Sequence, residues 1–292
     1  MEGRGPAQAS VLVRLRALRP TLAPAEARVA ELVLADPRAV AGLTITELAE
    51  LASTSETSVL RFARRLGLKG YPGLRLALAE AGAENGRNSH PVGDITRDDP
   101  IDVIVAKVTG AGARAVEETG QQLDREVLAT VARLVAAAGR VDLYGAHASG
   151  LVAGDLQQKL HRIGLVAYFW SDPHQALASA TLLAEGDVAI AVSHTGTTTE
   201  AVEVLETAQA RGVATVAITN YPESPLGRTA DFVLTTAADE TALRSGAMAS
   251  RIAALMVVDC LFLAAAQHRY DRAIEAVART REVVRGHHRS AR

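Results

Sequence analysis

Apolar residues recur along this chain in two rhythms. Through residues 10–80 they follow a helical spacing, three to four residues apart, and polar punctuation cuts the run into short segments. Residues 11–18 read as a short amphipathic helix. Pro24 stands where a first helical residue belongs, and residues 25–35 continue as a helix that Pro37 breaks. Thr44-Ile45-Thr46-Glu47 starts a helix that runs through Leu51. Ser53-Thr54-Ser55 interrupts, residues 56–66 resume, and Gly67 closes that helix as a C-cap. Gly70-Tyr71-Pro72-Gly73 reads as a turn before a last helix at residues 74–81.

Residues 82–99 are rich in Gly, Asn, Asp and Pro and have no apolar period, which is the pattern of a linker. After it the rhythm changes. Residues 100–138 suggest two helices split near Gly120. Short apolar runs then alternate with helices: strands are expected at 141–144, 165–170, 188–192, 213–219 and 232–235. Helices are expected at 151–163, 174–183, 200–211 and from about 246 to 270. Short apolar strands separated by helices imply a parallel sheet covered on both faces. The expected fold class is therefore α/β: an all-α helix-turn-helix domain at 1–81, a linker at 82–99, and a doubly wound parallel-sheet α/β/α sandwich at 100–292.

Composition narrows the function classes. At 292 residues and 48% hydrophobic, the chain can bury two cores. Aromatics at 3% argue against single-strand binding by base stacking. Cys260 is the single cysteine, which excludes an internal disulfide and a cysteine metal site and fits a reducing compartment. No apolar run is read as long enough to span a bilayer. Arg4, Arg14, Arg16 and Arg19 interrupt the N-terminal apolar stretch as a signal peptide would not. The expected location is cytoplasmic, with no membrane partner.

The net charge of −2 hides an asymmetry: residues 1–80 hold 11 Lys+Arg against 8 Asp+Glu, and the rest hold 20 against 25. Between Thr57 and Ala79 the charges are Arg61, Arg64, Arg65, Lys69 and Arg75, without an acid. Such a stripe is a solvated helix face or a local polyanion contact. Its setting favours the contact. Two short helices joined by a tight polar turn have the layout of a helix-turn-helix, in which Leu48, Ala49, Val59, Leu60, Phe62 and Ala63 supply the packing and Ser55 caps the second helix. The candidate DNA-binding residues are Ser55, Glu56, Thr57, Ser58 and Arg61 toward base edges, with Arg64, Arg65 and Lys69 toward phosphates. An ordinary helical hairpin would share the pattern. Glu56 is awkward beside phosphates unless it accepts from a cytosine amino group or caps the helix.

A second chemistry sits at the strand ends. Gly145-Ala146-His147-Ala148-Ser149-Gly150, Ser193-His194-Thr195-Gly196-Thr197-Thr198 and Asn220-Tyr221-Pro222-Glu223-Ser224-Pro225 each follow an expected strand, at the edge where open α/β sheets bind ligands. Hydroxyls, a close-approach glycine and a helix start suit a phosphate. No Lys follows the glycine, so this is not a P-loop, and the spacing is not a dinucleotide fingerprint. The candidates for holding a small phosphorylated metabolite are Ser149, Ser193, His194, Thr195, Gly196, Thr197, Thr198, Glu240 and Arg244. Taken singly, Ser149 reads more readily as an N-cap and the second loop as a tight strand-to-helix turn, with Glu240 and Arg244 as a surface pair; two such loops in one sheet shift the reading toward a phosphate site. The histidines show no metal spacing, and neither metal nor cofactor is expected.

With these residues in view, the chain resembles the RpiR family of bacterial transcriptional regulators. The resemblance rests on Arg61 through Pro72, on Gly145 with Ser149, and on Lys159-Leu160 through Gly164. It continues through Asp187, residues 193–198, Ser224-Pro225 and the stretch from Glu240 to Arg251. It implies a helix-turn-helix joined to a sugar isomerase (SIS) domain, a homodimer or homotetramer, double-stranded operator DNA as partner, and a phosphorylated sugar that controls DNA affinity. His147 stands where the family usually has Gly, and Thr195 where Ser is commoner. Two rivals stay open: a phosphosugar isomerase or lyase using Glu240 as base, and a DNA-binding protein whose sugar domain serves only oligomerisation.

Overall fold

The computed structural model describes residues 10–85, 94–240 and 247–285. Residues up to Gln122 form one compact unit and those from Leu123 onward another.

The first unit is helical. It comprises α1 (Val11–Leu18), a single 3-10 turn (Arg19–Thr21), α2 (Pro24–Ala35), α3 (Pro37–Gly42), α4 (Ile45–Leu51), α5 (Glu56–Arg65), α6 (Gly70–Asn85) and α7 (Ile101–Gln122). Leu15, Val29, Val33, Leu48, Val59, Phe62, Leu74 and Leu78 have no exposed surface and make its centre. Three expectations change here. Pro37 ends α2 and also starts α3, where its missing N–H is harmless and the Asp36 carboxylate accepts from Ala39 N at 2.9 Å. Gly70-Tyr71-Pro72-Gly73 is the first turn of α6 and not a separate turn, and the Tyr71 hydroxyl donates to Leu43 O at 2.9 Å. The expected split near Gly120 is present, between the end of α7 at Gln122 and the next helix. But α7 itself clusters with the first unit, where Glu118 pairs with Arg16 at 2.5 Å, although its apolar pattern had grouped it with the domain that follows.

The second unit begins with α8 (Arg125–Ala137), capped by Asp124, whose carboxylate accepts from Glu126 N and Val127 N. It continues β1 (Val141–Gly145), α9 (His147–Arg162), β2 (Ala167–Trp170), α10 (Pro173–Ala180), β3 (Val188–Val192), α11 (Thr199–Gln209), β4 (Ala214–Thr219), α12 (Pro225–Thr229), β5 (Phe232–Thr235), α13 (Ala249–His268) and α14 (Tyr270–Arg285). The five strands form one parallel sheet in the order β2-β1-β3-β4-β5. Every residue of β1 and β3 is buried, as continuous apolar strands require. Leu143, Ile190, Val216 and Leu234 face one way, against Val131 of α8, Leu156 of α9 and Val257 of α13. Tyr144, Ala189, Ala191 and Ala217 face the other way, against Ala176 of α10 and Leu205 of α11. This is the doubly wound sandwich expected from the strand rhythm.

Two helices of this unit were not foreseen. The short α12 is capped by Ser224, and α14 follows α13 after a break at Arg269. The expectation about bilayer length is also corrected, because α13 has 20 residues and is apolar enough to cross a membrane. Its apolarity has a local use: Ala253, Val257, Val258, Leu261 and Ala265 pack in the core.

Candidate functional site

In the first unit, α4 and α5 form the helix pair. Thr44 opens α4 with a reciprocal cap: its hydroxyl accepts from Glu47 N, and the Glu47 carboxylate accepts from Thr44 N at 2.7 Å. The bonds from Thr44 lower the Glu47 pKa. Between the helices Ser53 takes φ +48°, a left-handed conformation that non-glycine residues rarely adopt. Arg28 of α2 braces this turn, its guanidinium donating to Ala52 O and Ser53 O at 2.8 Å each.

The expected DNA residues divide into two groups. Ser55 caps α5, its hydroxyl accepting from Ser58 N at 3.3 Å, and Ser58 is itself buried. Glu56 accepts a 2.6 Å hydrogen bond from the Thr46 hydroxyl, tying the start of α5 to α4 and accounting for an acid at this tip. Thr57, Arg61, Arg64, Arg65 and Lys69 are exposed. Sequence reasoning missed Glu26, a buried carboxylate on α2 that faces Arg61 Nε at 3.4 Å and Arg65 Nη1 at 3.7 Å. A signal was present: Glu26 shares a helical stripe with Val29, Ala30 and Val33, so an acid was written into an apolar face.

In the second unit the sheet order creates a switch point. From β1 the chain leaves through α9 toward β2, and from β3 through α11 toward β4 on the opposite face. The loops after β1 and β3 therefore diverge and open a crevice at the carboxyl ends of the strands. In the first loop, a Cβ on Gly145 would stand 2.6 Å from Ser149 O, so glycine is what lets α9 start this close to the strand. His147, the first residue of α9, is held at φ +50°.

The second loop is cross-linked by its own hydroxyls. Ser193 Oγ lies 2.9 Å from Thr198 Oγ1 and accepts from Gly196 N at 3.1 Å, while Thr195 Oγ1 accepts from the Thr197 hydroxyl at 2.9 Å. Gly196 has φ +63°, and its carbonyl accepts from Leu226 N at 2.9 Å, which binds this loop to α12. No side chain caps α11, so its first N–H groups and its dipole point outward beside these hydroxyls.

The crevice itself is lined by Ser149, His194, Thr236, Ser250 and Arg251 over an apolar floor that includes Val192 and Ile218. Of the expected ligand residues, Ser149 and His194 face it directly; Ser193 and residues 195–198 are not among its lining residues. Among the described residues, His194 Nδ1, Ser250 Oγ and Glu240 Oε2 are buried without a hydrogen-bond partner. The other Glu240 oxygen accepts from Ser250 N at 2.9 Å. Burial pushes the His194 pKa down, against the opposing pull of Glu240 and Asp239, so its ring is neutral near pH 7. Asn220 fixes the segment leading to Glu240, its side-chain oxygen accepting from Ala238 N at 2.8 Å. Arg244 lies outside the described residues. Thr236 and Ser250 were missed because single hydroxyls at a strand end and a helix start carry no spacing signal. Among the described residues no His, Cys, Asp and Glu group is placed to hold a metal ion.

Comparison with known proteins agrees with this division. Residues 9–85 match the helix-turn-helix domain of the rpiR family, and residues 134–264 match the SIS domain. An uncharacterized HTH-type transcriptional regulator of Caldanaerobacter subterraneus subsp. tengcongensis is 38% identical over 274 residues, covering 94% of this chain and 96% of that one.

The chain belongs to the rpiR family of helix-turn-helix transcriptional regulators.

Solved structures are similar to it. The Vibrio vulnificus NanR protein, complexed with ManNAc-6P, is 32% identical with a TM-score of 0.60, covering 95% of this chain and 99% of that one. The sugar isomerase domain of an RpiR transcription factor from Sphaerobacter thermophilus is 27% identical with a TM-score of 0.55, covering 61% of this chain and 96% of that domain. As an rpiR-family member, the chain joins a helix-turn-helix domain to a SIS domain.

Proposed function

We propose that this rpiR-family regulator binds a phosphorylated sugar at the switch point of its second unit, and that the ligand sets its affinity for operator DNA. The observation that carries this reading is the crevice lined by Ser149, His194, Thr236 and Ser250, in which, among the described residues, His194 Nδ1 and Ser250 Oγ are buried without a hydrogen-bond partner. Each such atom left unpaired costs about 1–3 kcal/mol, a penalty that a hydroxylated ligand relieves. The phosphate sits against Ser193, Thr195, Gly196, Thr197 and Thr198. The sugar hydroxyls reach Ser149, His194 and Glu240, and Arg244 adds a cation. On the DNA side, Thr57, Arg61, Arg64, Arg65 and Lys69 meet the duplex, while Ser55, Glu56 and Ser58 shape the helix that carries them. A cytoplasmic homodimer or homotetramer would present paired helices to half-sites one or more helical turns apart.

A catalytic reading draws on the same Glu240, whose free oxygen could take a proton from a sugar carbon. The relatives named as transcriptional regulators favour the non-enzymatic reading. Thermal stabilisation against a panel of sugar phosphates and their unphosphorylated parents tests the proposal, with ManNAc-6P the first probe because NanR holds it. Ligand at about 100 times its Kd adds roughly 2.7 kcal/mol. A shift with a phosphosugar and none with its parent supports the pocket. No shift across the panel overturns it, and turnover of a stabilising ligand supports the enzyme.

A further inference from the structure

Beneath the recognition helix one buried carboxylate faces two arginines. The Glu26 side chain is 2% exposed, and its carboxylate accepts from Ala23 N at 3.1 Å. The Arg61 Nε edge lies 3.4 Å away and Arg65 Nη1 3.7 Å away. A carboxylate withdrawn from water is strongly unfavourable unless cations pair with it, so Glu26 constrains both guanidinium groups. Each has a second tether: Arg65 Nη2 donates to the Thr21 hydroxyl at 3.0 Å, and Arg61 Nη2 lies 3.4 Å from the Ser58 hydroxyl. Arg61 nonetheless keeps 60% of its side chain exposed. A guanidinium is planar, so holding its Nε edge orients the opposite edge. That outward edge offers parallel N–H donors, the arrangement that guanine O6 and N7 accept in the major groove.

We propose that Glu26 is a positioning residue for sequence reading: it fixes Arg61 so that the outer guanidinium edge reads one guanine in each half-site. Arg64 and Lys69, exposed beside it, supply phosphate contacts without sequence information. The proposal rests on the assignment of α5 as the DNA-reading helix.

The test is selection of duplexes from a randomised library by the full chain, comparing wild type, Glu26→Gln and Arg61→Lys. Gln keeps the shape of Glu26 and an acceptor for Ala23 N but removes the charge. Wild type should enrich a guanine at one position per half-site. Glu26→Gln should weaken preference at that position about tenfold or more, with binding to bulk competitor DNA nearly unchanged. Arg61→Lys should lose the same position. A Glu26→Gln motif identical to wild type overturns the proposal, as does loss at a different position from Arg61→Lys. If Glu26→Gln fails to fold by circular dichroism, Glu26→Asp decides, since it keeps the charge and withdraws it from Arg61: weakened preference at the position lost in Arg61→Lys sustains the proposal, and a motif identical to wild type overturns it. Should wild type enrich no sequence, it is the assignment of α5 that fails.

Discussion

Replacing Gly196 by Ala strikes the loop on which the ligand reading depends. A Cβ there would stand 1.9 Å from Ser224 Oγ, 2.6 Å from Ser224 Cβ and 2.9 Å from Thr219 Oγ1. Ser224 has little freedom to retreat, because its hydroxyl accepts from Gly227 N at the start of α12 and Leu226 N is bound to Gly196 O. The left-handed φ of +63° adds about 1–2 kcal/mol for an L-residue with a side chain. Overpacking adds about 1–3 kcal/mol, so the total is about 2–5 kcal/mol. Trp170, the single tryptophan, lies on β2 and reports on the second unit by fluorescence. With a urea m-value of about 2 kcal/mol/M, its midpoint should fall by about 1–2.5 M. Adding Ser224→Ala removes the closest clash and about 1 kcal/mol of capping, so the double variant should be less destabilised than the sum of the single changes. A midpoint within about 0.2 M of wild type, or strict additivity, would refute this account of the loop.

Other consequences follow from single groups. His147→Gly should stabilise the unit by roughly 0.5–1 kcal/mol and raise the same midpoint by about 0.25–0.5 M, since φ +50° strains an exposed histidine and glycine relieves it; His147→Ala keeps the Cβ and should gain nothing. The folded-state pKa of His194 lies below its ordinary 6.5, so the unfolded chain takes up its proton first. Stability from this group is complete above about pH 6.5 and is lost as pH falls below it, so urea midpoints between pH 5 and 8 should flatten in His194→Gln. Arg64→Ala and Lys69→Ala should each lower the salt slope of DNA binding by about one and weaken all duplexes alike; weakening confined to one sequence would reassign them to base reading.

The apolar rhythm made most of the architecture legible, because a buried parallel strand and an amphipathic helix differ in period and length. It placed β1, β3 and β5 within one residue of their observed ends. It set the α4–α5 pair with its Ser55 cap and Gly67 stop, because caps are local chemistry. Misreadings came where one residue type serves two ends. Pro37 stops one helix and starts the next, and Gly70 and Pro72 belong to the first turn of a helix although they share the composition of a turn. The α14 helix escaped notice because its surface is charge-rich and its apolar stripe sparse. Sheet order is not periodic at all, so the switch point between β1 and β3 became visible only with pairing. The hydroxyl loop was legible from its strand-turn-helix grammar. Glu26, Thr236 and Ser250 were not, because each acts through neighbours distant in sequence.

The central claim is that sugar phosphate and DNA compete or cooperate through one molecule. Fluorescence anisotropy of the full chain on a selected duplex, with and without the stabilising phosphosugar, measures it directly. Kd should change by about 5- to 150-fold with the phosphosugar and not at all with its parent sugar. Ser193→Ala should abolish that change and leave ligand-free affinity intact. An unchanged Kd at saturating ligand, or equal loss of ligand-free binding in Ser193→Ala, would contradict it.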